Sequence, residues 1–424
     1  MQFLIFIKEN GRWLLGGFLL TLFSSFGQTF FIALGSGGIR AEFALSHGEF
    51  GALYMGATLA SAASLPFVGR IVDHLSVSKT VLIVVPTLAA AALSMALATH
   101  LAVLALTLYL LRLFGQGMMT HIALTAMGRW FSLQRGRAMS VVTIGHQVGE
   151  ASLPVAFVAL AAVAGWRGTW FIAALLLAVL ALPSIWSLMR TERSARPGDG
   201  AGGRADARQW SRAEVLRDPL FYLALVGILA PGFIGTTIFF HQVYLVELRG
   251  WSMEAFAASF AVMSLMTLVF ALVSGHLIDR FSAVSLLPTY LVPLALACFV
   301  LSGLEAVWSV YVFMALLGVS YGISSTLLGA LWPEIYGVRH LGAIRSIVVA
   351  ALVFATALGP GVTGYLIDRG VSYPSQIAGM GAWCLAASVL LLVVSRRVHA
   401  RNLNEHDANG APSIHPSTSE LHDS

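Results

Sequence analysis

Residues 66–76 read PFVGRIVDHLS and residues 272–282 read LVSGHLIDRFS. Both carry Gly-x-x-x-Asp, then a basic side chain, then a Ser three positions after the Asp. Gly69 to Gly275, Asp73 to Asp279 and Ser76 to Ser282 are each a step of 206 residues. The same step carries Ser46 to Ser252, Gly136 to Gly342, Ser140 to Ser346 and Pro154 to Pro360. One offset kept across more than a hundred residues is the mark of a duplication, so the chain is two parallel repeats. The words alone are weak. GYLIDRG at 364–370 contains them outside the 206-residue frame, at the opposite end of a span.

Composition says what the repeats are made of. The 424 residues are 58% hydrophobic and 11% charged, with mean hydropathy +0.81; a soluble domain carries about 25% charge. Only lipid solvates so much apolar surface, which makes this a polytopic membrane protein. About 20 apolar residues cross a bilayer as a helix. Twelve such stretches are expected: 13–34, 49–68, 80–99, 101–128, 139–163, 168–189, 219–246, 254–274, 284–303, 306–330, 345–367 and 375–395. They are continuous rather than alternating, which excludes a β-barrel and requires helices, whose backbone groups are satisfied internally. Cys298 and Cys384 both lie in apolar stretches, so neither a disulfide framework nor a thiolate cluster is expected.

The predicted organisation is a six-helix bundle over 1–189, an Arg-rich linker over 190–217, a second six-helix bundle over 218–397 and a disordered tail over 398–424. With the N-terminus in the cytoplasm, 20 of the 25 Lys and Arg fall in cytoplasmic segments; Arg40, Arg167, Arg249 and Arg369 fall outside, and Arg112 lies within a span. The positive-inside rule therefore places both termini in the cytoplasm of a cell (inner or plasma) membrane. It also accounts for the pI near 9.4 without a nucleic-acid partner. Lys8 and Arg12 precede an apolar run too long for a cleaved signal.

Two parallel six-span repeats, each with this loop after its second span, resemble the major facilitator superfamily of secondary transporters over about residues 10–397. Gly69-Arg70-Ile71-Val72-Asp73-His74 and Gly275-His276-Leu277-Ile278-Asp279-Arg280-Phe281 match its loop signature, with Ser standing where the next Gly is usual. The first copy keeps only Lys79 of the trailing basic cluster. The resemblance implies an all-α fold and a conformational latch at Gly69, Asp73, Gly275, Asp279 and Arg280. The loop RWFSLQRGRAMS (129–140), with Trp130-Phe131 and Arg135-Gly136-Arg137-Ala138, is similar to members that carry carboxylates and other small organic anions. The fifth span keeps Gly136, Gly145 and Gly149 of the antiporter pattern but places Glu150 where Pro belongs and Leu153-Pro154 where a Gly pair belongs. That signature is broken.

Polar groups inside the bilayer are costly, about 2.5–3.5 kcal/mol for a charge at its centre, and face cavities or partners. Arg112, in YLLRLFGQGMM, resembles the family's fourth-span Arg, with Gly117 five residues on; the repeat-related position near Leu317 is uncharged. Gln116 is one helical turn away. Gln28 lies midway along the first span, and His241, with Gln242, beyond the Pro231-Gly232 break in the seventh. Arg112, Gln116, Gln28 and His241 are the expected substrate-binding residues. Glu150 and His146, one turn apart, are the expected proton-coupling residues. Counting 1.5 Å per residue from the helix ends puts Glu150 about 16 Å deep and Arg112 about 24 Å deep, within reach of an ion pair. His121, His146 and His241 have no metal-ligand spacing, and no metal or cofactor is expected. The chain has no Walker loop. The reading is therefore a monomeric, proton-coupled secondary transporter of a small organic anion. Proton-driven efflux of amphipathic compounds is the alternative, and a membrane-embedded sensor or enzyme the more distant one.

Overall fold

The chain is described here from a computed structural model covering residues 2–131, 134–193, 209–337 and 339–410. Residues 194–208 of the linker, 411–424 of the tail, and the side chains of residues 2–5, 73, 135, 342–343 and 402–410 lie outside the described residues.

Every element among the described residues is helical. Nine helices are long and apolar enough to cross a membrane: His47–Val68, Val77–Leu97, Leu101–Trp130, Gly136–Met189, Pro219–Phe240, Met253–Phe281, Trp308–Tyr336, Ile344–Asp368 and Tyr373–Arg401. A tenth passage is the bent pair Phe6–Gly27 and Thr29–Phe43. Two features separate ten from the expected twelve. The predicted fifth and sixth spans run together as Gly136–Met189, divided by Gly165, whose φ of 69° and ψ of 172° only a residue without Cβ adopts freely. The predicted ninth is the shorter Val292–Gly303, behind a turn-rich 287–291. The last helix, Tyr373–Gly410, continues past the predicted bundle end at 397, so 398–410 is helix rather than disordered tail. No Gly or Pro stands between Gly381 and Gly410 to stop it.

The repeat is visible in how helices begin. Ser46 and Ser252 are both N-caps: their hydroxyls accept from Glu49 N and Ala255 N at 3.1 and 3.2 Å. Ser76 and Ser282 repeat the device, accepting from Lys79 N and Ser285 N. The serines in place of the loop glycines are therefore helix caps, each satisfying an orphan backbone donor. Ser282 does so at φ 77°, ψ 156°, a conformation that favours glycine.

Two seams join the halves. Span 2 (His47–Val68) packs along span 11 (Leu341–Asp368), and the merged helix Arg135–Leu176, whose part before Gly165 is span 5, packs along span 8 (Met253–Phe281). The 206-residue step maps span 2 onto span 8 and span 5 onto span 11, so the seams are equivalent by repeat. Glycines set the close approaches. A Cβ on Gly51 would stand 2.5 Å from Pro360 O across the first seam. Within the first half, Gly145 and Gly149, one turn apart, press span 5 onto Phe18 O, Thr21 and Ser25 of span 1 as a small-residue packing face.

Candidate functional site: a buried arginine above a central cavity

Span 1 is broken where it meets span 4. Ser24–Gly27 is a tight 3-10 turn and Gln28 is extended (φ −84°, ψ 151°). Span 4 answers with a π-helical stretch, Leu111–Met119. Gly27 and Gly115 cross almost in contact, where a Cβ on Gly115 would lie 2.6 Å from Gly27 Cα. The break frees backbone carbonyls, and Arg112 takes one. Its Nη1 donates to Gly27 O at 3.1 Å and to Thr29 Oγ1 at 3.4 Å. The guanidinium lies over the Tyr54 ring at 5.4 Å, and the Tyr54 hydroxyl pairs with Thr29 at 2.7 Å. Arg112 is 3% exposed, and among the described residues its Nε has no partner and no carboxylate pairs with it.

Glu150 is also buried, at 5% exposure, and forms no hydrogen bond or ion pair among the described residues. The predicted Arg112–Glu150 pair is not formed. The reason is angular. Gly145 and Gly149 occupy the face of span 5 that meets span 1, so Glu150, one position on, turns away from it. Arg112, for its part, is held at the span 1 break.

Below Arg112 lies a cavity of about 760 Å³ between the halves. Gln28, Gln116 and His146 line it, so three predicted residues from spans 1, 4 and 5 converge there. Arg112 sits one turn behind Gln116, and neither it nor Glu150 is on the wall. Met139 and Ser140, in the second turn of span 5 from the linker end, are on the wall. Thr267, Leu272, Ser325 and Thr326 of spans 8 and 10 face them.

The opposite face is sealed. Phe50 stacks on Phe240 at 5.1 Å and Tyr54 packs on it at 4.8 Å. Gln242 Nε2 donates to Phe30 O at 2.8 Å. Predicted as a substrate residue, His241 belongs to this seal instead: it is 3% exposed, and its Nε2 meets Pro360 O at 3.2 Å. The third copy of the loop phrase also works here. Gly364 lets span 11 touch His47 O, and the Asp368 carboxylate accepts from His47 N at 3.2 Å and Gly48 N at 2.7 Å. A carboxylate from one half thus caps the N-terminus of span 2 in the other.

On the linker face, Gly69 packs beside His121, while Asp279 is exposed and has no partner among the described residues. Arg280 lies over Phe281 at 5.3 Å. Sequence reasoning missed Thr29 and Tyr54 beside Arg112, Gln147 on the cavity wall, and Asp368. For Asp368 the signal was present in GYLIDRG, set aside because it lay out of frame.

A helical membrane protein in two repeat-related halves, sealed on one face around a central cavity, has the architecture of a carrier. The chain belongs to the major facilitator superfamily, whose family model matches residues 17–282 and 242–420. No curated protein matches it. Two solved structures of a bacterial homologue of the human lysosomal transporter Spinster are similar in fold. The inward-facing, unoccupied form has TM-score 0.69 and 16% identity over 95% of this chain and 99% of that one. The inward-facing, occupied form has TM-score 0.67 and 17% identity over 94% and 98%. The protein is thus a multi-pass membrane transporter of this superfamily.

Proposed function

We propose that the chain is a monomeric secondary transporter that moves a small organic anion together with protons by alternating access. The bundles 1–189 and 218–397 are the two rocking bodies, and the linker face is cytoplasmic in the cell membrane. On this reading the conformation described above is inward-open. In the opposite state the loops at Gly69–Asp73 and Gly275–Arg280 close the linker face as the Asp368 contact closes the far one.

The observation that carries the reading is Arg112, a buried cation one turn behind Gln116 of the cavity wall, with no carboxylate partner among the described residues. A charge so placed raises the local potential across a low-dielectric wall and favours an anion in the cavity. Gln28 and Gln116 supply the nearest amide donors. Glu150, buried and without a hydrogen-bond or ion-pair partner among the described residues, is the coupling site: it exchanges its proton when the halves part and water enters. His146, on the cavity wall, is the second proton candidate. The test is binding and uptake of labelled carboxylates by the full chain in proteoliposomes, with and without a pH gradient. Arg112→Lys keeps the charge but loses the planar fork and should weaken binding. Arg112→Ala should abolish it. Undiminished affinity in Arg112→Ala would end the anion reading.

A further inference from the structure

A second cavity lies wholly within the second half and shares no residue with the one between the halves. It is a groove of about 620 Å³ between span 7 (Pro219–Phe240), span 11 and span 12 (Tyr373–Gly410). Span 7 forms its floor, where Ala230 and Ile234 are buried. Phe354, Val362 and Trp383 form the rim, each apolar and about half exposed, so the groove opens to lipid. Small residues keep it open: a Cβ on Gly379 would meet nothing within 4 Å.

The groove has a length and a direction. From Phe354 to Leu366 its wall on span 11 is twelve residues, about 18 Å at 1.5 Å per residue. One leaflet makes up about half of a 30 Å hydrocarbon core, about 15 Å. Phe354 is at the middle of span 11, Leu366 is near its sealed-face end, and Gln376 lies in the first turn of span 12. The groove thus runs through the leaflet on the sealed face. Its polar lining, Thr363 and Gln376, is at the surface end. Gln376 Nε2 donates to Val371 O at 3.1 Å, and its Oε1 has no donor. Arg369 follows Val362 and Leu366 on one face of span 11, seven and three residues on. Its guanidinium lies over Tyr365 at 4.9 Å, exposed and with no carboxylate paired to it among the described residues. The neighbouring Asp368 is committed to His47 N and Gly48 N.

We propose that this groove binds an anionic phospholipid of the sealed-face leaflet, with one acyl chain along spans 7, 11 and 12 and the phosphate at Arg369 beside Gln376. The occupant enters from the membrane, because the rim faces lipid. It is apolar over about one leaflet and negative at the surface, because the charge at the mouth is a guanidinium, the side chain best matched to phosphate. A phospholipid standing in its own leaflet has that polarity without reorientation. The site rests on the membrane fold and the groove, and is independent of the substrate carried between the halves.

The test uses the full chain in phosphatidylcholine nanodiscs doped with phosphatidylglycerol that carries a photoreactive group on one acyl chain. Adducts should concentrate in peptides covering 226–234, 354–366 and 376–383. Unlabelled phosphatidylglycerol should displace them better than phosphatidylcholine does. Arg369→Gln should cut that preference about two- to fivefold, the range of an exposed charge pair, while a phosphatidylcholine probe with the same acyl label still reaches the groove. Gly379→Phe puts a ring into open space and suits a helix better than Gly. It should remove the groove adducts and leave labelling elsewhere on the lipid-facing surface unchanged, which also shows that the variant is folded. Uniform labelling around the protein, or groove adducts that persist in Gly379→Phe, would overturn the site. Equal displacement by the two lipids in the unaltered chain would overturn the anionic headgroup. Groove peptides that neither probe labels would show that a second copy or another molecule covers this face, and would overturn the proposal as well.

Discussion

Replacing Asp368 by Asn removes the charge that holds the far face shut without changing side-chain size. In the structure that carboxylate accepts two backbone N–H groups, from His47 and Gly48, at the first turn of the 22-residue helix His47–Val68. An anion at a helix N-terminus contributes about 0.3–1 kcal/mol, and a charge-assisted hydrogen bond about twice a neutral one. Asp368 is exposed, so solvent screening keeps the total near the low end, about 1 kcal/mol. That is roughly a fivefold shift of the equilibrium toward a state open on the far face. Met55, which a Cβ on Gly361 of span 11 would meet at 3.0 Å, reports it. A Met55→Cys variant is read against a silent background, since Cys298 and Cys384 are both buried. Labelling by an impermeant thiol reagent from the far side should be about fivefold faster in the Asp368→Asn background. Asp279→Asn should slow it, because Asp279 has no partner here and is proposed to engage in the opposite state. Unchanged or slower labelling in Asp368→Asn would refute the far-face latch.

Glu150→Gln fixes the neutral form of the buried carboxyl. Proton-driven accumulation in vesicles should disappear while substrate-for-substrate exchange survives; accumulation against a gradient by this variant would move the coupling site elsewhere, with His146 next to be tested. Gly145→Ala drives a methyl group into Phe18 O and Thr21 of span 1, at a cost of about 1–3 kcal/mol and a lower Tm. Gly56→Ala, with nothing within 4 Å, should leave Tm unchanged or raise it; equal melting of the two variants would show that the span 1–span 5 contact is looser than described.

Composition and the 206-residue step determine the fold by themselves. Hydropathy alone requires membrane-spanning helices, because no other solvent accepts that surface, and a constant offset survives only if each half keeps the same fold. The step also pairs Ser46 with Ser252, each before an apolar run, and both are helix caps in the structure; the two equivalent seams come from the packing itself. The inward convergence of Gln28, Gln116 and His146 was legible too, because mid-span polar groups must find one another or water. Three things were decided only in three dimensions. Whether Arg112 meets Glu150 depends on helix rotation and on a π-helical stretch, and depth counting is blind to both. His241 turns to Pro360 O because span 7 packs on span 11, a contact between residues 119 apart in sequence. Asp368 caps span 2 from 320 residues away, and only tertiary packing brings a helix N-terminus to a carboxylate across that distance.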